Sequence, residues 1–227
     1  MLLSFQLHSA QATHTLQADF SQLVIAGWAG RDAAAIEHHI EELAALGVPR
    51  PSAVPLYYRV AADQLTQADA IQVVGSHSSG EVEAFVFAQG SQLCASLASD
   101  HTDRKLEAHS VALSKQVCAK PVARDAWRFD EVAPHWDQLQ VRAWIEEGGA
   151  EVLYQDGTLA SLRSARELIG GYTGGPPLAG GTGMTCGTVA VIGGIRPASV
   201  FRMELRDPVL NRRIGHRYTI DVLPEVA

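Results

Sequence analysis

The stretch EVEAFVFAQGSQLCASLASD, residues 81–100, constrains this chain more than any other. In a β-strand, residues two apart point to the same face. Glu81, Glu83, Phe85 and Phe87 therefore share one side of a strand, and Val82, Ala84, Val86 and Ala88 share the other. A strand that is apolar on both faces must be covered from both sides, yet this one carries two carboxylates at its entrance. It runs into Gln89-Gly90-Ser91-Gln92, where glycine followed by a small polar residue suits a two-residue II′ turn. With Gln89 opposite Gln92, the same register sets Asp100 opposite Glu81 and hence on the same face.

Three carboxylates converge in that arrangement. Two of them, roughly 7 Å apart along one strand, repel each other and resist ionisation at a poorly solvated site. A divalent cation relieves both problems, and an all-oxygen set suits hard cations. The plainer reading is a solvent-facing strand end whose glutamates pair with Arg or Lys. Everything depends on the turn, because a one-residue slip would send Asp100 to the other face.

The rest of the chain is mostly strand. Leu2 to Leu7 and Thr13 to Phe20 read as a hairpin, and Leu23 to Trp28 as a short apolar strand. Asp32 can cap a helix whose apolar positions Ile36, Ile40 and Leu43 keep the helical period, with Gly47 as its stop. Val48 to Pro55 carries three prolines and reads as a stiff loop. Strands are expected over residues 81–89, 92–99, 138–146, 152–155, 184–192 and 201–205, and a second helix over 161–169. Gly170 to Gly183 lacks the Lys-Ser/Thr ending of a nucleotide-binding loop and reads as a flexible connection. There is no alternation of strand and helix, so the expectation is an α+β, mainly β chain. It forms one domain over residues 1–227, with residues 1–24 as an N-terminal hairpin extension.

Length and charge narrow the function. At 227 residues and 47% hydrophobic, the chain can bury a substantial core. Its net charge of −7, without a basic run, argues against nucleic acid or an anionic membrane as partner. No stretch is long enough to span a bilayer, and the opening residues lack the basic flank of a signal peptide. Cys94, Cys118 and Cys186 are too far apart for a disulfide framework or a CxxC site, and none adjoins an obvious histidine to make a nucleophile. A reducing, cytoplasmic setting is expected. Trp127, Trp136 and Tyr154 are read as core or dimer contacts, and His135 to Asp137 as structural.

Several motifs, taken in order, resemble the fumarylacetoacetate hydrolase superfamily over roughly residues 25 to 190. Glu81 and Glu83 in GEVEAFVF match its metal-binding ExE pair. Asp100 in SDHTDR matches its third ligand, with Thr102 and Arg104 in place. Lys115 in LSKQVCAKPV resembles its active-site lysine, with Lys120 as the alternative. Gln155 in YQDGT follows the Gly148-Gly149 turn where the family has a glutamine after its hairpin. LAGGTGMTCGT, ending at Thr188, is in register with a substrate-touching segment, although Thr182 stands where the family has Asp and Val189 where it has Pro. GRDAAAIEHHIEEL resembles a mobile lid with a His-x-x-Glu pair, either His39 with Glu42 (preferred) or His38 with Glu41. Arg59 occupies the place of a family lysine. The segment between Glu83 and Asp100 is shorter than usual and lacks an intervening helix.

The resemblance implies a mixed β-sandwich or roll with few helices, and Mg²⁺ or Mn²⁺ held by Glu81, Glu83 and Asp100. It implies a hydrolase or lyase acting on a small 2-oxo or enol carboxylic acid. His39 and Glu42 would activate water, Lys115 and Gln155 would steady an oxyanion, and Arg59, Arg104 and Thr188 would contact substrate. Arg104 can equally pair with a neighbouring carboxylate. A homodimer is the family's common state. Carbon–carbon hydrolysis, decarboxylation and isomerisation all use this ligand set, so the reaction stays open. Two other readings stand beside it: an amide hydrolase, and a non-catalytic metabolite-binding protein that kept the fold. A purely structural subunit is the third.

Overall fold

In a computed structural model, which describes residues 1–45 and 50–226, two sheets sandwich most of the core. The larger has eight strands in the order Thr13–Asp19, Leu2–His8, Asp125–Arg128, Gln92–Ser99, Val82–Gln89, Thr182–Thr188, Gln22–Gly27, Leu56–Val60. The smaller has five, in the order Ala150–Thr158, Gln140–Glu147, Val200–Asp207, Arg212–Leu223, Ala70–Val74. Among the described residues the longest helix is Ala33–Ala45, and none is long and apolar enough to cross a membrane. The chain is thus α+β and mainly β.

Val82–Gln89 lies inside the large sheet and is covered on both faces, as its double apolar pattern requires. Val82, Ala84 and Val86 pack with Val141, Ala143, Phe201 and Met203 of the smaller sheet. Phe85 and Phe87 face a second cluster with Phe5, Phe20 and Leu23. The Phe5 and Phe87 rings stack at 4.5 Å, a geometry that adds about 0.5–1.5 kcal/mol to simple burial. The N-terminal hairpin joins the large sheet through parallel pairing of Leu2–His8 with Asp125–Arg128. Phe5 and Leu7 are fully buried there.

Local signals mostly act as the residues dictate. Asp32 accepts from the backbone N–H of Ala34 and Ala35, both at 3.0 Å, and so caps Ala33–Ala45. Gly47, the expected stop, lies outside the described residues. The second helix runs later than its periodicity suggests, from Ala165 to Thr173, because Ser164 and Glu167 form a capping box. It passes through Gly170 and Gly171, where a flexible connection was expected, and stops at the left-handed Gly174 (φ 73°). The strand expected over 184–192 is Thr182–Thr188 instead, interrupted by a register shift between Thr185 and Thr188. Arg212–Leu223 escapes a hydrophobicity reading because Gly215 and the buried polar His216 break its alternation.

Candidate metal centre

Gln89 pairs with Gln92 and Val82 with Ser99, so the hairpin has the expected register. Gly90 takes φ 59°, as the first position of a II′ turn needs. One step past the strand ends, Asp100 N–H donates to the Glu81 carbonyl at 3.0 Å, extending the ladder. Carboxylate oxygens of Glu81, Glu83 and Asp100 consequently lie within 4.8 Å of one another. Asp100 is fully buried, Glu83 is 3% exposed, and Glu81 stands at the rim.

Each carboxylate is held differently. Asp100 Oδ2 accepts from Lys115 Nζ at 2.5 Å, and Lys120 Nζ stands 3.1 Å from Oδ1. Burial opposes ionisation of Asp100, but Lys115 and Lys120 outweigh it and hold the carboxyl at about 2. Glu81 pairs with Arg104 at 3.1 Å and lies 3.9 Å from Lys115. Glu83 has no ion pair among the described residues; its Oε2 accepts the Gly187 N–H at 2.8 Å. Gly187 is left-handed (φ 85°), and a Cβ there would fall 2.6 Å from Ala29 Cβ, so only glycine can aim this N–H at the carboxylate. Burial, with repulsion from Asp100 and Glu81, pushes Glu83 up to about 8.

These donors fit a hard divalent cation. They are all oxygen, and they converge from three carboxylates to within 4.8 Å of one another. At Glu83 the attraction of Lys115 is outweighed by burial and by the other two carboxylates, so a further cation is needed to keep it ionised. The sign of the pH dependence follows. Below about 8, binding must displace the Glu83 proton, so Mg²⁺ affinity should climb up to about tenfold per pH unit and level off above that point. Titration calorimetry at pH 6, 7 and 8 checks this, and a flat profile would mean that no proton leaves Glu83 on binding. In the metal-free protein the trend reverses. The stability Glu83 contributes is fully present below its unfolded pKa and is lost as pH rises through about 8.

Lys115 and Arg104 join the three carboxylates. Lys115 sits on Val111–Gln116, capped by Ser110, and its neighbouring carboxylates outweigh burial to raise its pKa. Arg104 is also used by Ser79 Oγ at 2.7 Å and Glu107 at 2.9 Å. Gln155 and Thr188 stand one layer behind. The Gln155 amide accepts from Val82 N–H at 3.0 Å and donates to Thr188 Oγ1 at 2.8 Å and the Val189 carbonyl at 2.6 Å. Thr188 in turn donates to the Val82 carbonyl at 2.8 Å, so this pair clamps the backbone between the two glutamates. Arg59 is directed elsewhere and donates to the Tyr172 hydroxyl at 3.1 Å. His38, on Ala33–Ala45, is exposed. The side chains of His39 and Glu42 lie outside the described residues.

Four residues that sequence reading left out or set aside belong to this neighbourhood. Lys120 is fully buried and donates to the His101 carbonyl as well as facing Asp100. His101 bridges the Tyr218 hydroxyl at 3.0 Å and Ser78 Oγ at 2.9 Å, and burial with Lys120 and Arg104 nearby pushes it down to about 3. Tyr58 sets its ring 5.8 Å from Lys115 Nζ, and Trp28 Nε1 donates to the Tyr58 hydroxyl at 3.4 Å. Trp28 has φ 58°, uncommon for a bulky residue and typical of places where structure is built around a site. That backbone angle has no local sequence signal beyond the adjoining Gly27.

The fold, a sheet sandwich with a carboxylate triad at its strand ends, is shared with solved structures of fumarylacetoacetate hydrolase-family proteins. The chain belongs to DUF2848, a family of proteins of unknown function, whose model matches residues 26–218. No protein of curated function matches the sequence. Solved structures share the fold at low identity. A putative fumarylacetoacetate isomerase/hydrolase from Oleispira antarctica has a TM-score of 0.65 at 15% identity, covering 95% of this chain and 98% of that one. A 2-keto-3-deoxy-D-arabinonate dehydratase complexed with magnesium and 2,5-dioxopentanoate has 0.63 at 14%, covering 91% and 75%. A 4-oxalocrotonate decarboxylase from Pseudomonas putida G7, complexed with calcium and acetate, has 0.53 at 17%, covering 88% and 76%.

Proposed function

We propose that this protein is a divalent-metal-dependent hydrolase or lyase acting on a small 2-oxo or enol carboxylic acid. The observation that carries the reading is the triad of Glu81 at the rim with buried Glu83 and Asp100, their oxygens within 4.8 Å. The magnesium and calcium complexes of its fold neighbours support a hard cation, Mg²⁺ or Mn²⁺. When bound, such an ion polarises an oxo group and stabilises negative charge developing on it.

The chain's own residues do the rest. Lys115 stays an ammonium, so it serves as a fixed positive charge toward a carboxylate or oxyanion rather than as a base. Arg104, divided among Glu81, Ser79 and Glu107, holds Glu81 in place. Gln155 and Thr188 keep the Val82 backbone, and with it both glutamates, in register. Tyr58 borders Lys115. The helix Ala33–Ala45 is proposed to bring His39, oriented by Glu42, to a water as general base.

The test is turnover of a panel of 2-oxo acids by metal-stripped protein, with and without Mg²⁺ or Mn²⁺. Metal-dependent product formation is expected. Lys115→Met should lower kcat by about 10²-fold while metal binding persists. Saturable binding with no turnover of any compound would replace this reading with a metabolite-binding one.

A further inference from the structure

A cavity that the carboxylate triad does not line lies between the edge strand Leu56–Val60 and the helix Ala165–Thr173. It has a volume of about 460 Å³, with Pro55, Leu56, Tyr57, Arg163, Glu167 and Gly171 among its walls. Tyr57 and Tyr58 are neighbours on one strand, so their side chains leave by opposite faces. Tyr58 goes to Lys115, and Tyr57 goes to this cavity.

The polar groups here are unfinished. The Arg163 main chain is fixed by its N–H to the Ala29 carbonyl at 2.8 Å, yet its guanidinium enters no ion pair among the described residues. Its Nε is buried without a partner, and so is the Tyr57 hydroxyl. That hydroxyl occupies space left by Gly171, where a Cβ would lie 2.3 Å away. Glu167 does not complete Arg163. One of its oxygens is taken by the Ser164 N–H and hydroxyl, both at 2.7 Å. A planar cation with free N–H groups and a neighbouring hydroxyl is chemistry for a carboxylate.

We propose that this cavity is an anion site that takes a small carboxylate, held by the Arg163 guanidinium with the Tyr57 hydroxyl as a further donor. Two sources share that chemistry. One is a free carboxylate metabolite. The other is the far carboxylate of a molecule whose oxo-acid end sits at the triad, a source that rests on the proposed function.

The experiment is calorimetric titration of metal-free protein with succinate, which has no oxo group to chelate a metal. Wild type is expected to bind it. Arg163→Gln should lose at least about tenfold in affinity, and Tyr57→Phe about threefold. Glu83→Gln should bind succinate as wild type does, so failure of the metal reading leaves this site standing. Lack of succinate binding by wild type, or undiminished binding by folded Arg163→Gln, overturns the proposal. If Arg163→Gln does not fold, Tyr57→Phe decides by the same criterion. Repeating the titration with Mg²⁺ and oxalate in place separates the sources while upholding the site. Unchanged succinate affinity marks a free metabolite, and competition marks one molecule spanning both places.

Discussion

Metal-stripped protein should gain about 5–10 °C in its unfolding midpoint when Mg²⁺ or Mn²⁺ is added at a hundredfold excess over Kd. A ligand bound only by the folded state contributes about 2.7 kcal/mol at that excess. For a chain of this size each kcal/mol moves the midpoint by about 2–4 °C. Oxalate, as a mimic of a 2-oxo acid, should raise it further. Glu83→Ala and Glu83→Gln should abolish both shifts and all metal-dependent turnover. The Gln variant also guards against confusion with unfolding. Near neutral pH the buried Glu83 of the metal-free protein is mostly protonated, with its pKa at about 8, so a neutral isostere should leave the metal-free midpoint close to that of wild type. A metal-induced shift that survives in Glu83→Gln would remove the triad from the metal reading.

Asp100→Asn should behave in the opposite way and destabilise the protein even without metal. Its carboxylate faces two buried lysine amines, the Lys115 ammonium and Lys120, the latter fully enclosed. Removing one partner from a buried ion cluster costs about 3–5 kcal/mol, because the remaining charges lose their compensation. That corresponds to a midpoint lower by roughly 6–20 °C. The second change Lys120→Met should restore part of the loss, since it removes one of the stranded charges. The pH dependence has a definite sign: Asp100 is held at about 2, so its contribution is present above its unfolded pKa and is lost as pH falls through about 2. A wild-type midpoint for Asp100→Asn would show that the lysines do not depend on it.

The contrast between these variants follows from surroundings, not from residue type. Glu83 and Asp100 are both buried carboxylates on one hairpin. Asp100 has two lysines against it, whereas Glu83 has a glycine N–H. The first is therefore a structural keystone with or without metal, and the second is costly until a cation arrives.

How much of this was legible beforehand differs from residue to residue. The hairpin register could be read because it depends on nearest neighbours: a Gly-Ser turn and a two-residue alternation on either side. Burial on both faces was written in the same alternation, and the helix cap at Asp32 is equally local. The ends of Ala165–Thr173 were misplaced because a capping box outweighed apolar periodicity. Lys120 was set aside for Lys115, since nothing in LSKQVCAKPV distinguishes two lysines five residues apart. Packing brings both to Asp100. Tyr58 and Arg59 make the same point at an edge strand. In PLYYRV both strand faces mix apolar and polar groups, so alternation alone does not tell which face meets the site.

By itself, the sequence determined the mainly β architecture, the doubly buried central strand, and the meeting of Glu81, Glu83 and Asp100 across one turn. These follow from short-range geometry, where a two-residue period and a turn type leave little freedom. Only the tertiary structure decided which cations compensate which carboxylate, that Gln155 and Thr188 brace the backbone, and that Arg163 and Tyr57 share a cavity. Those outcomes depend on side chains up to about a hundred positions apart meeting across a sheet edge. Their distances are set by how the whole core closes, which no local pattern records.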